Sequence, residues 1–419
     1  MKYSTTKTFV DLFAGCGGLS LGLENAGYTP IFVNEISPEA MRSYLLNRKN
    51  NSIDLSNPSR HAFDIRDITQ SPSDLATFSR RLKSEHHDID LVVGGPPCQG
   101  FSGIGHRRTF TKLSKSVIPS NHLFREMANL IEYLQPRAFI FENVRGLLSS
   151  RWSPEGERGE VWQSVQQTFE GIGGRKKLRD YDIRSQLIFA KDYGVPQNRP
   201  RIIMIGVRSD ICWHQKTNIA GGLLPEPSFD APDLIDLLGD LVDENYLNTT
   251  GLISYPKPAQ NNIQRSLRTD LTGKILKKGA IISEMDYSRH SPVVQTRFKY
   301  MLEHQGQIPD SLKTKKFAQR VLPERWTESG PTITATSLPD DYVHFNLPRT
   351  LTVREWARLQ MFPDHYKFSG KRTSGGRRRA GDPSIGDWHR EAPKYTQIGN
   401  AVPVELARRI GEHLMEIIG

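Results

Sequence analysis

The amino-acid sequence predicts an α/β fold: a mainly parallel sheet followed by a smaller, irregular β-containing domain. Three observations carry the prediction. Strand-like and helix-like segments alternate from Thr8 to Val207, a pattern that implies βαβ units. Glycine- or proline-rich turns follow the first and fourth strand-like runs. The alternation then stops, and residues 210–348 are rich in Pro, Asn, Thr and Asp.

The elements follow in order. Residues 8–12 form a strand, and a Gly-rich turn leads to a helical pattern over 19–25. Residues 30–34 form a second strand and 38–47 a helix. A third strand over 61–65 precedes a helix over 73–83. Residues 89–93 are a fourth strand, 122–134 a helix and 138–142 a fifth strand. Residues 188–190 and 201–207 end the series. Ligands of such sheets bind at the carboxyl ends of the strands. Asp11, Glu35, Asp64, Cys98 and Glu142 all stand at or just after such ends. In the irregular region, 332–334 and 342–345 are β-prone. Order returns with a helix over 353–360. A Gly/Arg-rich insertion follows over 369–393, then an amphipathic helix over 403–418. Leu406, Ile410 and Leu414 recur there at helical spacing, so that stripe is expected to pack on the first domain.

The chain of 419 residues fits roughly two domains at ~100–200 residues each. Three cysteines, Cys16, Cys98 and Cys212, give no disulfide framework and point to a reducing compartment. They lack zinc-site spacing, so no metal is expected. No basic start precedes an apolar core, which argues against a signal peptide. No apolar run reaches the ~18–20 residues of a membrane helix. The expectation is a soluble cytosolic protein with no membrane contact.

The net charge of +10 favours a polyanionic partner such as nucleic acid. The charge is also clustered. Residues 106–125 hold Arg107, Arg108, Lys112, Lys115 and Arg125 and no acid. A second cluster holds Lys371, Arg372 and Arg377 to Arg379.

The most informative stretch runs from Gly94 to Ser102 and sets Cys98 in a Pro/Gly-rich turn directly after an apolar strand. A strand that delivers a thiol into a loop presents a nucleophile. Glu142 ends the next strand. A carboxylic acid there can donate to a ring nitrogen while a thiolate adds to the adjacent carbon; capping or pairing with an arginine is the alternative. Arg199 and Arg201, two residues apart, are spaced to share one face of a strand. They are suited to fix that glutamate, a phosphate or a substrate carbonyl. Between Asp11 and Gly18, glycines let backbone approach a ligand closely. Ser20 breaks the GxGxxG dinucleotide pattern counted from Gly15. Glu35 ends the second strand, where a carboxylate commonly takes a ribose hydroxyl pair.

In this order, the stretches 94–102, 142–144 and 197–201 resemble motifs of the DNA cytosine-5 methyltransferases of the bacterial restriction–modification type. Residues 11–18 resemble that family's S-adenosylmethionine loop, 349–360 its late structural helix, and 397–403 its closing cofactor motif. The resemblance implies a Rossmann-like methyltransferase sheet over 1–208 and a target recognition domain over 209–348. The late helix, basic insertion and C-terminal helix then fill 349–419.

It also implies roles. Cys98 is the nucleophile that attacks carbon 6 of cytosine, so that carbon 5 takes the methyl group. Glu142 binds the base edge at nitrogen 3 and the exocyclic amine. Arg199 and Arg201 support the base and that glutamate. Phe13, Gly15, Gly17, Glu35, Ile36, Asp64, Ile65, Pro96, Leu123, Asn400 and Val402 line the cofactor pocket. Ile36 departs from the aromatic common there but still offers an apolar face.

The target atom is inaccessible in stacked DNA, so the base must flip out, at a cost of a few kcal/mol. Ser102, Ile104, Arg107 and Arg108 are the DNA contacts implied beside the nucleophile, and Ile104 would fill the gap in the stack. Nearby cations lower a thiol pKa and so favour attack. Arg320 and Thr334 are the contacts implied in the recognition domain. The expected partners are double-stranded DNA and a cognate restriction endonuclease. The chain is expected to be a monomer and associated with a prokaryotic nucleoid. Two rivals remain. One is a tRNA cytosine-5 methyltransferase, although the CysPheThr motif of that branch is absent. The other is a catalytically inactive DNA-binding regulator, although Cys98, Glu142 and Arg201 are all present.

Overall fold

The computed structural model describes residues 7–49, 51–97, 119–174, 180–213, 222–227, 231–249, 251–313, 319–327, 330–334, 341–374 and 391–419. The first half builds β1 (Lys7–Leu12), α1 (Gly18–Asn25), β2 (Tyr28–Asn34), α2 (Pro38–Leu46), β3 (His61–Ala62), α3 (Arg66–Thr69), α4 (Pro72–His86) and β4 (Leu91–Gly94). It continues with α5 (Phe124–Leu134), β5 (Ala138–Val144), α6 (Glu160–Glu170), β6 (Tyr181–Phe189) and β7 (Pro200–Arg208). These strands form one seven-stranded sheet in the order β3-β2-β1-β4-β5-β7-β6.

The first five strands are parallel, as the alternation predicts. The departure is β7, since β6 keeps the direction of the first five. β7 runs antiparallel to both β5 and β6, and it inserts between them. The reason is the connection: only residues 190–199 separate β6 from β7, and they hold no α-helix. A parallel return needs a crossover of a dozen or more residues, usually through a helix. The reversal matters for chemistry. It brings the N-terminal end of β7 to the carboxyl end of β5, with Arg201 opposite Val144.

The third strand is shorter than expected. Only His61 and Ala62 pair with β2, because Asp64 and Ile65 already accept the first turn of α3 through Asp67 N and Ile68 N.

Side chains alternate across the sheet, as strand geometry requires. Val10, Leu12, Phe139, Phe141 and Met204 pack under α4, α5 and α6. Phe9, Leu91, Val93, Ile140 and Ile205 face the other way, onto Leu19 and Leu23 of α1. The C-terminal helix completes that second layer.

Beyond the sheet come α7 (Leu234–Leu238), α8 (Asn262–Leu267), α9 (Pro292–Glu303), β8 (Arg320–Val321), β9 (Tyr342–Val343), α10 (Val353–Leu359), α11 (Lys394–Asn400) and α12 (Val404–Ile418). Of the two β-prone pieces in the irregular region, residues 342 and 343 pair with β8. Residues 332–334 form no strand; they bond to residues 197–199 instead.

The late helix α10 starts with a capping box between Thr352 and Glu355, which satisfies two backbone donors reciprocally. In α12, Leu406, Ile410 and Leu414 are all buried against the sheet layer. Burying each such side chain contributes about 1.5–3 kcal/mol. Gly22 of α1 permits the close approach: a Cβ there would lie 2.3 Å from the Ala407 Cβ. Among the described residues, no helix is long and apolar enough to cross a membrane.

Candidate active site

The site lies along the carboxyl ends of β1 to β5. β1 ends in a loop whose backbone is left-handed at Phe13 (φ 56°), Gly15 (58°) and Gly17 (91°). Only glycine adopts such φ values freely, so Phe13 is held there by its surroundings. Its backbone N donates to Asn34 Oδ1 at 3.3 Å. The Asn34 amide nitrogen in turn donates to the carbonyls of Ala62 and Phe63 at 3.1 and 2.9 Å. One buried amide thus joins the ends of three strands.

Glu35 braces the same loop. Its Oε2 accepts from Gly15 N at 2.8 Å and its Oε1 from Ser37 N at 2.7 Å. Burial raises its carboxyl pKa, and the two backbone N–H groups oppose that. A Cβ on Gly15 would meet nothing within 4 Å, so open space lies against the loop. Beside Glu35, Ile36 is 64% exposed, and Phe63 next to Asp64 is 44% exposed. Ile65 is buried. Asp64 takes both carboxylate oxygens to Arg66, which lowers its pKa. From the far end of the chain, Ala401 and Val402 close on the loop. A Cβ on Gly18 would lie 2.3 Å from the Val402 carbonyl oxygen. Asn400 is exposed at the end of α11, and Leu123 is half-buried at the start of α5.

The underside of the loop rests on a buried polar platform that sequence reasoning missed. Tyr366 donates to Cys16 O at 2.5 Å, and Arg48 donates to Gly17 O at 3.4 Å. Arg48 stacks on Tyr44 at 3.8 Å and pairs with Glu24 at 2.6 Å. Ser20 bonds both Asp11 and Tyr44. Burial pushes the Asp11 carboxyl up to about 7. Nothing local marks Arg48 or Tyr366, but Asn34 was findable as an amide directly before Glu35.

At the end of β5, Glu142 Oε1 lies 2.7 Å from Arg201 Nε, and both residues are only 9% exposed. β4 pairs with β5 up to Gly94 and Phe141, so the loop that follows β4 runs beside Glu142. A Cβ on Gly95 would lie 2.9 Å from Glu142 Oε2. The side chain of Asn143, a second missed residue, donates to Pro96 O at 3.0 Å and ties the loop down. Pro96 is buried, and with Pro97, Phe141 and Asn143 it lines a small, partly open pocket. Cys98, Ser102, Ile104, Arg107 and Arg108 lie outside the described residues, as do Arg377 to Arg379.

Arg199 lies in the field of Glu142 but, among the described residues, is not hydrogen-bonded to it. Its guanidinium is wholly buried and donates to backbone carbonyls: Ile333 O from Nη1, and Gly399 O and Ala401 O from Nη2 at 2.9 and 3.0 Å. The two arginines do not share a strand face, because β7 begins at Pro200 and Arg199 precedes it. Arg201 therefore belongs to the Glu142 pair and Arg199 to the scaffold. Of the two recognition candidates, Arg320 is exposed on β8, where it stands opposite Tyr342 of β9. Thr334 is half-buried and follows Ile333 directly.

The chain is similar to known proteins over nearly its whole length. The C-5 cytosine-specific DNA methylase family matches residues 7–416. The chain is 30% identical over 419 residues to the Type II methyltransferase M.DdeI of Desulfomicrobium norvegicum, covering 97% of this chain and 88% of that one. It is 28% identical over 420 residues to the Type II methyltransferase M1.HphI of Haemophilus parahaemolyticus, covering 99% and 88%. Among solved structures, a candidate DNA modification methyltransferase encoded within an E. coli prophage shares the fold. Its TM-score is 0.66 at 24% identity, over 98% of this chain and 99% of that one.

Proposed function

Because the chain belongs to the C-5 cytosine-specific DNA methylase family, we propose that it methylates a flipped-out cytosine through a covalent Cys98 adduct, as the modification enzyme of a Type II restriction–modification system. The reaction is transfer to carbon 5 of cytosine in DNA, and S-adenosylmethionine supplies the methyl group from its sulfonium centre.

The cradle at the ends of β1 to β4 suits that cofactor. Glu35 has lone pairs left for ribose hydroxyls after accepting from Gly15 and Ser37. Ile36 and Phe63 offer exposed apolar surface for a base, and the space against Gly15 is open to a ligand. The closing residues Asn400 and Val402 supply the opposite wall.

The Glu142–Arg201 pair beside the nucleophile loop carries the proposal. Arg201 fixes one oxygen of the carboxyl group, and the other faces the side on which the loop toward Cys98 passes. When the Cys98 thiolate adds to carbon 6, electron density moves to nitrogen 3, which accepts a proton that the Glu142 carboxyl group takes up as the base binds. Carbon 5 becomes nucleophilic and takes the methyl group. A water molecule then takes the carbon 5 proton, the thiolate leaves carbon 6, and the nitrogen 3 proton returns to the Glu142 carboxyl group, which restores the neutral ring. Positive charge near the loop favours the thiolate. The basic run 106–125 is suited to offset the flipping cost through phosphate contacts. The enzyme is read as a monomer on double-stranded DNA, paired with a cognate endonuclease.

Cys98→Ser is expected to abolish methyl transfer and keep DNA binding. DNA carrying 5-fluorocytosine in the target site is expected to trap the wild-type chain covalently, because fluorine cannot leave as a proton does. Bisulfite sequencing of DNA from expressing cells supplies the site for that duplex. Full methylation by Cys98→Ser, or no trapped adduct on the mapped site, overturns the mechanism. Methylation of tRNA alone favours the RNA branch.

A further inference from the structure

We propose that Arg199 is a positioning residue that couples DNA engagement at residues 331–334 to the cofactor wall at residues 399–402. The inference rests on the proposed function and adds a route between its two substrates. A guanidinium is planar, always charged and carries five donors in a fixed fork. Here the two ends of that fork serve different segments. Nη1 holds Ile333 O, and Nη2 holds Gly399 O and Ala401 O. Among the described residues its only hydrogen bonds are to backbone carbonyls, so its charge is spent on main-chain position.

A second set of bonds runs alongside. Gln197 Oε1 accepts from Ile333 N at 3.1 Å, and Gln197 Nε2 donates to Leu359 O and to Gln360 Oε1 at 2.6 and 2.9 Å. The Gln360 amide then donates to Ile398 O and Ala401 O at 2.8 and 3.2 Å. Asn198 N donates to Pro331 O at 3.0 Å, and Asn198 O accepts from Thr332 Oγ1 at 2.6 Å. Residues 331–333 are therefore bonded to three consecutive residues, 197–199. Both sets meet at Ala401 O, one residue before Val402, whose carbonyl abuts Gly18 of the glycine loop.

The path is short. Thr334, a DNA-contact candidate, is the neighbour of Ile333. A DNA contact that shifts the 333 carbonyl moves one end of a rigid fork whose other end sets carbonyls 399 and 401. Coupling of this kind is reciprocal: if DNA tightens the cofactor, the cofactor tightens DNA by the same factor.

The test measures the dissociation constant of S-adenosylhomocysteine, which permits no turnover, with and without a duplex carrying the site mapped by bisulfite sequencing. Wild type is expected to show a ratio of about 5-fold or more. In Arg199→Lys a single ammonium cannot span both segments, so the ratio is expected to fall toward one, whichever way the two separate affinities move. Circular dichroism checks that the variant folds. Should it not fold, Thr332→Val, which removes only the bond to Asn198 O, is expected to lower the ratio partway. A wild-type ratio of one, or a wild-type ratio retained in a folded Arg199→Lys chain (or in Thr332→Val where the lysine variant fails), overturns the coupling. Either result leaves 5-fluorocytosine trapping by wild type intact, whereas failure of the proposed function removes the trapping itself.

Discussion

A single ion pair, Glu142 with Arg201, stands at the centre of the proposed chemistry, and its two members were legible by different routes. Glu142 was legible because it ends the strand beside the one that delivers Cys98. Arg201 was legible as a residue, but its geometry depends on the reversed strand β7. The carbonyl partners of Arg199 were not legible because they lie 134 and 200 residues away, which no local pattern encodes. Asn143 and Arg48 were missed for the same reason. The pair makes a direct prediction. Glu142→Gln keeps an acceptor for Arg201 but has no acidic proton for nitrogen 3. Single-turnover methylation is expected to slow by about 10²–10⁴-fold, the usual worth of a positioned acid, with DNA affinity little changed. A rate within about 3-fold of wild type, below that range, removes Glu142 from proton transfer.

At the scale of elements, periodicity located the strands and helices but not the reversed direction of β7. Hydrophobic alternation is the same in a parallel and an antiparallel strand, and only the length of residues 190–199 distinguishes them. The amphipathic C-terminal helix was legible because a 3.6-residue stripe needs only local sequence. Its partner was not, since Gly22 reveals its purpose only when Ala407 lies against it. Gly22→Val forces α1 and α12 apart at a site where Val404 O and Arg408 N also stand within 3 Å of the added Cβ. Overpacking of this kind costs about 1–3 kcal/mol, and urea unfolding is expected to register that loss. Because Val402 precedes α12, cofactor affinity is expected to weaken in parallel. Unchanged stability would show that the two helices have slack.

Across the whole molecule, the late helix α10 acts as a charged hub rather than an apolar one. Arg358 bonds Asp240 and Asp364, Arg268 pairs with Asp240, and Arg349 holds Glu355 through two bonds at 2.6 and 2.7 Å. All six residues are at most 4% exposed. Buried pairs recover their desolvation cost only through good geometry, so the hub fixes how the irregular region meets the late helix more than it adds stability. It also makes the fold sensitive to acid. His344 is buried, and its Nδ1 accepts from Asn346 N and Leu347 N, so the ring is neutral. Burial, reinforced by Arg349, holds its pKa down at about 3, although Glu355 stands 3.6 Å away. Burial alone raises Glu355, but Arg349 outweighs it and leaves the carboxyl at about 2.

Both folded pKa values lie below their unfolded values, so both groups give stability at neutral pH that is lost on acidification. For His344 the unfolded chain takes up a proton below about 6.5, and the folded one does not until about 3. The loss is about 1.4 kcal/mol per pH unit across that window. Glu355 adds a similar slope from its ordinary value of 4.5 down to about 2. His344→Asn keeps an acceptor for the two backbone donors and cannot take up the proton. Urea unfolding at a series of pH values is expected to show wild type losing stability from pH 6.5 to 4.5 faster than the variant, by about 1.4 kcal/mol per unit. From 4.5 to about 3 the gap is expected to keep widening while Glu355 adds its own loss to both chains, and below about 3 the two are expected to fall together. Other histidines cancel in the difference, which isolates this ring. Parallel curves from 6.5 to 4.5 would mean that His344 is charged in the folded chain, and its place in the hub would have to be redrawn as a second cation facing Glu355.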